Sequence, residues 1–164
     1  MEKENILLTG SDGFIGRSIL NQITNTYNDK FNVYTFEKNN ITNNEYWIEQ
    51  LNELVKDSDV ILHVGADSNT QNFDLNDVFF YNYYFSKVLF DLISENNNDK
   101  RTIYSSSAAC YGTQGMPETI YAWSKYLAEQ YGYSKLEDFV SLRYFNVYGP
   151  GESNKGNMSS IPYQ

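Results

Sequence analysis

Asn5-Ile-Leu-Leu-Thr9-Gly10-Ser-Asp-Gly13-Phe-Ile-Gly16 is the stretch from which the fold can be read. A short apolar run, as of a buried strand, breaks into glycines at every third position. Ile15, Ile19, Leu20 and Ile23 then recur at helical spacing. Strand, glycine turn and helix in that order form the setting in which such glycines carry meaning. Gly10 suits a tight turn, Gly13 lets a diphosphate approach the backbone, and Gly16 lets helix and strand pack closely. The N–H groups at the helix start would then face the phosphates. The spacing is Gly-x-x-Gly-x-x-Gly, not the Gly-x-Gly-x-x-Gly of other dinucleotide folds. An ordinary strand-to-helix turn is the competing reading.

Working outward, Phe31-Asn-Val-Tyr-Thr-Phe36 reads as a second strand with Glu37 at its end. That is near the ~20-residue offset at which an acid binds an adenosine ribose. Lys38 follows and could instead hold a 2′-phosphate, so Glu37 favours NAD while Lys38 keeps NADP open. Residues 39–45 read as a polar connector, and Ile48, Leu51, Leu54 and Val55 mark an amphipathic helix. Asp59-Val-Ile-Leu-His-Val64 is a continuous apolar strand of the buried parallel kind. It ends at Gly65-Ala66, where open α/β sheets bind ligands, and Asp67-Ser-Asn-Thr70 continues as a polar loop. His63 lies inside that strand and reads as a satisfied core histidine.

From Asp74 to about Ser94 the pattern is helical and rich in aromatics, with Asn82 as a polar residue that needs partners if buried. Arg101-Thr-Ile-Tyr104 is the next strand and runs into Ser105-Ser-Ser107. After a loop carrying Gly115 and Pro117 comes a helix with Tyr121, Lys125, Leu127, Ala128 and Tyr131. Asp138-Phe-Val-Ser-Leu-Arg143 is a further strand. Alternating strands and helices imply a Rossmann-type doubly wound parallel α/β sheet, with helices on both faces. No internal repeat and no interdomain linker is visible, so residues 1–150 read as one dinucleotide-binding domain.

The composition narrows the partners. Of the 164 residues, 41% are hydrophobic, ordinary for a globular chain, while 15 Tyr and 10 Phe make it rich in aromatics. A net charge of -9 argues against nucleic acid or an anionic membrane as partner. One cysteine, Cys110, precludes an intrachain disulfide, and with His63 as the single histidine no metal site is expected. No apolar run approaches a membrane span, and residues 1–4 lack a signal peptide's apolar segment. A cytoplasmic protein is the expectation.

Tyr121 and Lys125 stand four apart on a helix and share one face. A phenol titrates near ~10 and is a poor base at neutral pH, but an adjacent ammonium favours the phenolate. The pair is therefore a candidate proton shuttle.

Taken in order, Thr9 to Gly16, Asp59 to Ala66, Asn82, Ser105-Ser-Ser107, Tyr121-x-x-x-Lys125 and Leu142-Arg-Tyr-Phe-Asn146 make the chain resemble the extended short-chain dehydrogenase/reductases, the sugar-nucleotide epimerase/dehydratase family. Arg143 to Pro150, Asn154-Lys-Gly156 and Met158-Ser159 resemble the branch that acts on ADP-heptose. The resemblance implies that Gly10, Gly13, Phe14, Ile15, Gly16, Glu37, Lys38, Gly65, Ala66 and Asn82 serve an NADP or NAD site. It implies Tyr121 as acid/base, Lys125 on the nicotinamide ribose and lowering the phenol's pKa, and Ser107 on the reacting oxygen. Asn82 would support the site from its helix. Ser68 and Asn146 would meet an ADP-heptose-like sugar nucleotide, and Lys155 would be a second acid/base on the opposite sugar face.

Family dehydratases carry Asp-Glu where this chain has Ala108-Ala109, which disfavours dehydration. Three departures shape the expectations. Residues 151–164 read as the start of a truncated substrate-binding region. The Glu37–Asp59 segment is short enough that a strand is expected to be missing, and Asn40-Ile-Thr-Asn43 replaces the usual acidic contact to adenine. The Gly112–Tyr121 loop is abbreviated. The reading is an NAD(P)-dependent epimerase whose dinucleotide binding outlasts its turnover. The alternatives are a non-catalytic NAD(P)-binding module and a keto-sugar-nucleotide reductase. Aromatic residues Phe79 to Phe85 and Phe90, near the family's usual dimer face, make a homodimer an expectation.

Overall fold

A computed structural model describes residues 2–96 and 99–150. Five strands form one parallel sheet: β1 (Glu4–Thr9), β2 (Phe31–Phe36), β3 (Val60–His63), β4 (Arg101–Ser107) and β5 (Phe139–Tyr144), in the order β2-β1-β3-β4-β5. The order reverses after β2, so chain direction across the sheet switches at β1 and a crevice opens at the carboxyl ends of β1 and β3. The register places Thr9 opposite Phe36 on one side and His63 on the other. All five strands fall where the sequence pattern puts them.

The helices are α1 (Phe14–Thr26), α2 (Lys38–Thr42), α3 (Trp47–Lys56), α4 (Leu75–Phe79), α5 (Phe85–Glu95) and α6 (Ile120–Lys135). One face of the sheet carries the main core. Leu7, Phe36, Ile61, Tyr104 and Phe139 from the strands pack with Leu51 and Val55 of α3, Phe85, Leu89, Phe90 and Ile93 of α5, and Ala128 of α6. Each fully buried side chain of this size contributes about 1.5–3 kcal/mol. The other face is more lightly clad: α1 packs on β1 and β2, while Val140 and Leu142 of β5 stay 41% and 40% exposed. Close packing of α6 on β5 needs Gly132, where a Cβ would stand 2.3 Å from the Phe139 ring.

Two expectations need correction. The connector after Glu37 is not irregular: α2 forms there because Glu37 and Asn40 build a reciprocal capping box. The expected missing strand is indeed absent: among the described residues the segment between Glu37 and Asp59 holds two helices, α2 and α3. The aromatic helix is not uniform either, since Phe80–Tyr84 winds as a π-helical turn between α4 and α5. Such turns insert an extra residue and re-aim side chains, often at functional sites.

His63 is the core histidine expected. It is fully buried, with Nδ1 2.7 Å from Thr9 Oγ1 and Nε2 2.8 Å from Ser86 Oγ. Burial, with Lys125 nearby, pushes its pKa well below the usual histidine range. Among the described residues no helix is long and apolar enough to cross a membrane.

Candidate functional site

The glycine turn is built by close approach. Gly10 has φ +73°, and a Cβ on it would lie 2.5 Å from Gly65 Cα, where β1 and β3 end side by side. A Cβ on Gly16 would fall 2.0 Å from the Gly10 carbonyl oxygen. Gly13 is the N-cap of α1; the helix has no side-chain cap and no acid in its first turn. The start of α1 therefore offers uncapped positive dipole to an anion lying in the crevice, and a diphosphate fits that demand.

At the β2 end, Glu37 turns back onto the glycine loop. Its Oε1 accepts from Ser11 N at 2.8 Å and from Ser11 Oγ at 2.6 Å. Burial, more than the neighbouring Asp12, raises its pKa. Lys38 Nζ sits 3.9 Å from the centre of the Tyr81 ring, a cation–π contact. Arg17 Nη2 donates to Asp12 O at 2.6 Å. An acid and two cations thus share the region expected for the adenosine ribose, so the geometry accommodates either form of the cofactor.

At the opposite end stand Ser107, Tyr121 and Lys125. The strand β4 runs further than expected, so Ser107 closes it as its last residue. The Ser107 side chain lowers the phenol's pKa, but burial outweighs this, and Cys110 and Asp67 add to the rise; the net shift is upward. Lys125 is not among the groups that move it. The expectation that Lys125 lowers the phenol's pKa is corrected here: its Nζ lies 4.2 Å from the Tyr104 ring centre. Lys125 is itself 2% exposed, and burial brings its pKa down to about 7, against smaller upward pulls from Cys110 and Glu129. Both groups therefore hold protons less conventionally than free side chains, as proton-transfer sites do.

Asn82 is fully buried inside the π-turn. Its side chain bonds the backbone of Asp67 and donates to Ser124 Oγ at 3.1 Å, and Ser124 Oγ donates to Tyr121 O at 2.7 Å. It ties the loop after β3 to the helix that carries Tyr121 and Lys125.

One cleft of about 1280 Å³ runs along the carboxyl ends of the strands. Gly10, Gly13, Phe14, Ile15, Gly16, Glu37, Lys38, Gly65, Ala66, Ser68, Ser107, Tyr121, Lys125 and Asn146 all line it. Asn82 does not: it sits behind the wall, bonded to the wall's backbone, and so differs from its place among the expected cofactor-binding residues. Lys155 lies outside the described residues. Sequence reasoning passed over Tyr81 and Asp67, which also line the cleft. Asp67 was legible as a polar residue at a strand end, whereas Tyr81 reaches the cleft only through the π-turn.

Comparison with known proteins places the chain in a family. An ADP-L-glycero-D-manno-heptose-6-epimerase of Cupriavidus pinatubonensis is 38% identical over 117 residues, covering 63% of this chain and 35% of that one. The structure of Helicobacter pylori ADP-L-glycero-D-manno-heptose-6-epimerase superimposes with a TM-score of 0.81 at 27% identity, covering 98% of this chain and 61% of that one. UDP-glucuronic acid 4-epimerase of Bacillus cereus, in complex with NAD, shares the fold with a TM-score of 0.71 at 23% identity. The chain thus spans only about a third to three-fifths of these relatives. The NAD dependent epimerase/dehydratase family matches residues 6–163, and with the glycine crevice and the Ser107–Tyr121–Lys125 end in one cleft, the chain belongs to that family.

Proposed function

We propose that this chain is the cofactor-binding and proton-transferring part of a sugar-nucleotide epimerase acting on an ADP-heptose-like substrate. One observation carries the reading: a single cleft joins an uncapped helix start at Gly13 to a proton-transfer end at Ser107, Tyr121 and Lys125. A nicotinamide dinucleotide, NADP or NAD, fits it, since the turn that brings the uncapped helix start to the crevice is one that a Cβ at Gly10 or Gly16, overlapping backbone, would displace. When bound, that cofactor supplies a hydride acceptor and later returns the hydride.

The chain's residues do the rest. Tyr121 takes the proton of the sugar hydroxyl as its carbon is oxidised. Ser107, which lines the same end of the cleft as the phenol, holds the reacting oxygen. Lys125 holds the nicotinamide ribose. Asn146 and Ser68 meet the substrate from the cleft mouth. Lys155 serves the opposite face of the ketone, so that each face has its own proton donor and inversion follows.

The test is sequential. NADH and NADPH are titrated by fluorescence, then the protein is incubated with ADP-heptose and the 6-epimer is measured by NMR. Tyr121→Phe is expected to abolish conversion with cofactor affinity nearly intact, and Lys155→Met to stop inversion. Unchanged turnover in Tyr121→Phe overturns the mechanism. Binding without turnover in the wild type favours a non-catalytic NAD(P)-binding module.

A further inference from the structure

Glu129 stands one helical turn beyond Lys125 on α6, so the two side chains share a face, and both are buried. A carboxylate so placed is the obvious counter-ion for a buried ammonium, yet it is committed elsewhere. Arg143 Nε donates to Oε1 and Oε2 at 3.2 and 3.1 Å, and Arg143 Nη2 donates to Oε1 at 2.7 Å. Ser141 Oγ donates to Oε2 at 2.8 Å. Ser141 and Arg143 are two apart on β5 and therefore project from one side of the strand. The guanidinium is held in turn over the Tyr111 ring, 4.4 Å from its centre.

We propose that Arg143 is a positioning residue for Lys125: together with Ser141 it captures Glu129, and so keeps that carboxylate from pairing directly with the Lys125 ammonium, which stays available to the cleft. The inference rests on reading Lys125 as part of the proton-transfer site. The groups facing Lys125 are Tyr121 and Glu129 on its own helix, Tyr104 of β4, Cys110 of the short turn after β4, and His63 of β3. Among them Glu129 is the carboxylate, so its capture decides how far burial prevails. With Glu129 held by Arg143, burial prevails and the amine titrates near about 7. An amine poised there changes charge within the neutral range, where proton transfer is most efficient.

The experiment follows Lys125 directly, in the ligand-free protein, by NMR titration of lysine labelled at Cε and assigned by its loss in Lys125→Met. Arg143→Gln is expected to raise the Lys125 midpoint by ~1 unit or more, as a freed carboxylate turns to the ammonium. Adding Glu129→Gln to that variant is expected to bring the midpoint back to the wild-type value. Ser141→Ala removes one of the donors without unpairing a charge; it is expected to raise the midpoint less, and it decides the matter if Arg143→Gln does not fold. A wild-type midpoint at the ordinary ~10.4 overturns the inference. So does a midpoint unmoved in every variant that folds, or a rise that persists in the double variant, since a purely structural role for Arg143 lowers stability and leaves Lys125 alone. Cofactor affinity against pH is measured alongside. Absence of cofactor binding in the wild type sinks the functional reading, while the NMR titration still decides this one.

Discussion

Asn82 grips the peptide of Asp67 from both sides, its amide oxygen accepting from the Asp67 N–H at 2.7 Å and its Nδ2 donating to the Asp67 carbonyl at 3.0 Å. The loop that walls the cleft after β3 is thereby clamped to the π-turn. Asn82→Ala removes these bonds and the one to Ser124, leaving buried partners unpaired. At about 0.5–1.5 kcal/mol per bond the loss is roughly 2–4 kcal/mol in urea unfolding. Cofactor affinity is expected to fall about tenfold or more as the wall loosens. An affinity unchanged in a destabilised variant would show that the clamp serves the fold alone.

Gly16 and Gly115 offer a controlled contrast. A Cβ at Gly16 overlaps the Gly10 carbonyl oxygen at 2.0 Å, whereas a Cβ at Gly115, although φ is +82°, meets nothing within 4 Å. Gly16→Ala is expected to displace the turn and abolish dinucleotide binding. Gly115→Ala carries only the strain of a left-handed residue, about 1–2 kcal/mol, with binding retained. Isothermal titration of both variants with NADH and NADPH checks the pair.

Lys125 ties stability to pH. Its folded pKa, about 7, lies below its unfolded value, so below that unfolded value the unfolded chain binds the extra proton and stability rises with pH. Its contribution is about 1.4 kcal/mol per pH unit from about pH 7 upward, levelling off near ~10. Lys125→Met is expected to flatten that slope and to stabilise the protein at pH 7 by a few kcal/mol, while weakening cofactor binding. Urea unfolding at pH 7, 8 and 9 measures the slope, and a variant as steep as the wild type refutes the assignment.

His63 acts at the acid side in the same sense. Its folded pKa is pushed well below the ordinary value, so as pH falls below ~6.5 the unfolded chain takes up a proton that the native state refuses. Stability is lost there at up to about 1.4 kcal/mol per pH unit. His63→Gln retains hydrogen-bonding groups toward Thr9 and Ser86 and is expected to lose about one proton's worth of the slope between pH 5 and 6.5. Comparing denaturation midpoints of the two proteins across that interval tests it.

The sheet and most of the cleft were legible in the chain itself. Apolar runs ending at Thr9, Phe36 and Val64 mark the strands, because a parallel strand buried on its core face needs near-continuous hydrophobic sequence. The glycines at 10, 13 and 16 were legible because only a residue without Cβ survives the contacts found at Gly10 and Gly16. Tyrosine at 121 and lysine at 125 were legible by type and spacing, serine at 107 by resemblance to the family, and all three line one cleft. α2 was missed because a capping box between Glu37 and Asn40 outweighs the poor helix propensity of its asparagines.

What the sequence by itself determined is which residues come to the crevice, since strand ends and turn chemistry follow from local pattern. What only the tertiary structure decided is their electrical state. The i,i+4 spacing of Tyr121 and Lys125 suggested a cation that lowers a phenol's pKa, yet burial raises the phenol's pKa and lowers the amine's. Desolvation depends on what packs around a group, and here that is Tyr104 of β4 and Glu129 held by Arg143 of β5. Tyr104 and Arg143 come from other parts of the chain, and their distances exist only once the sheet has formed.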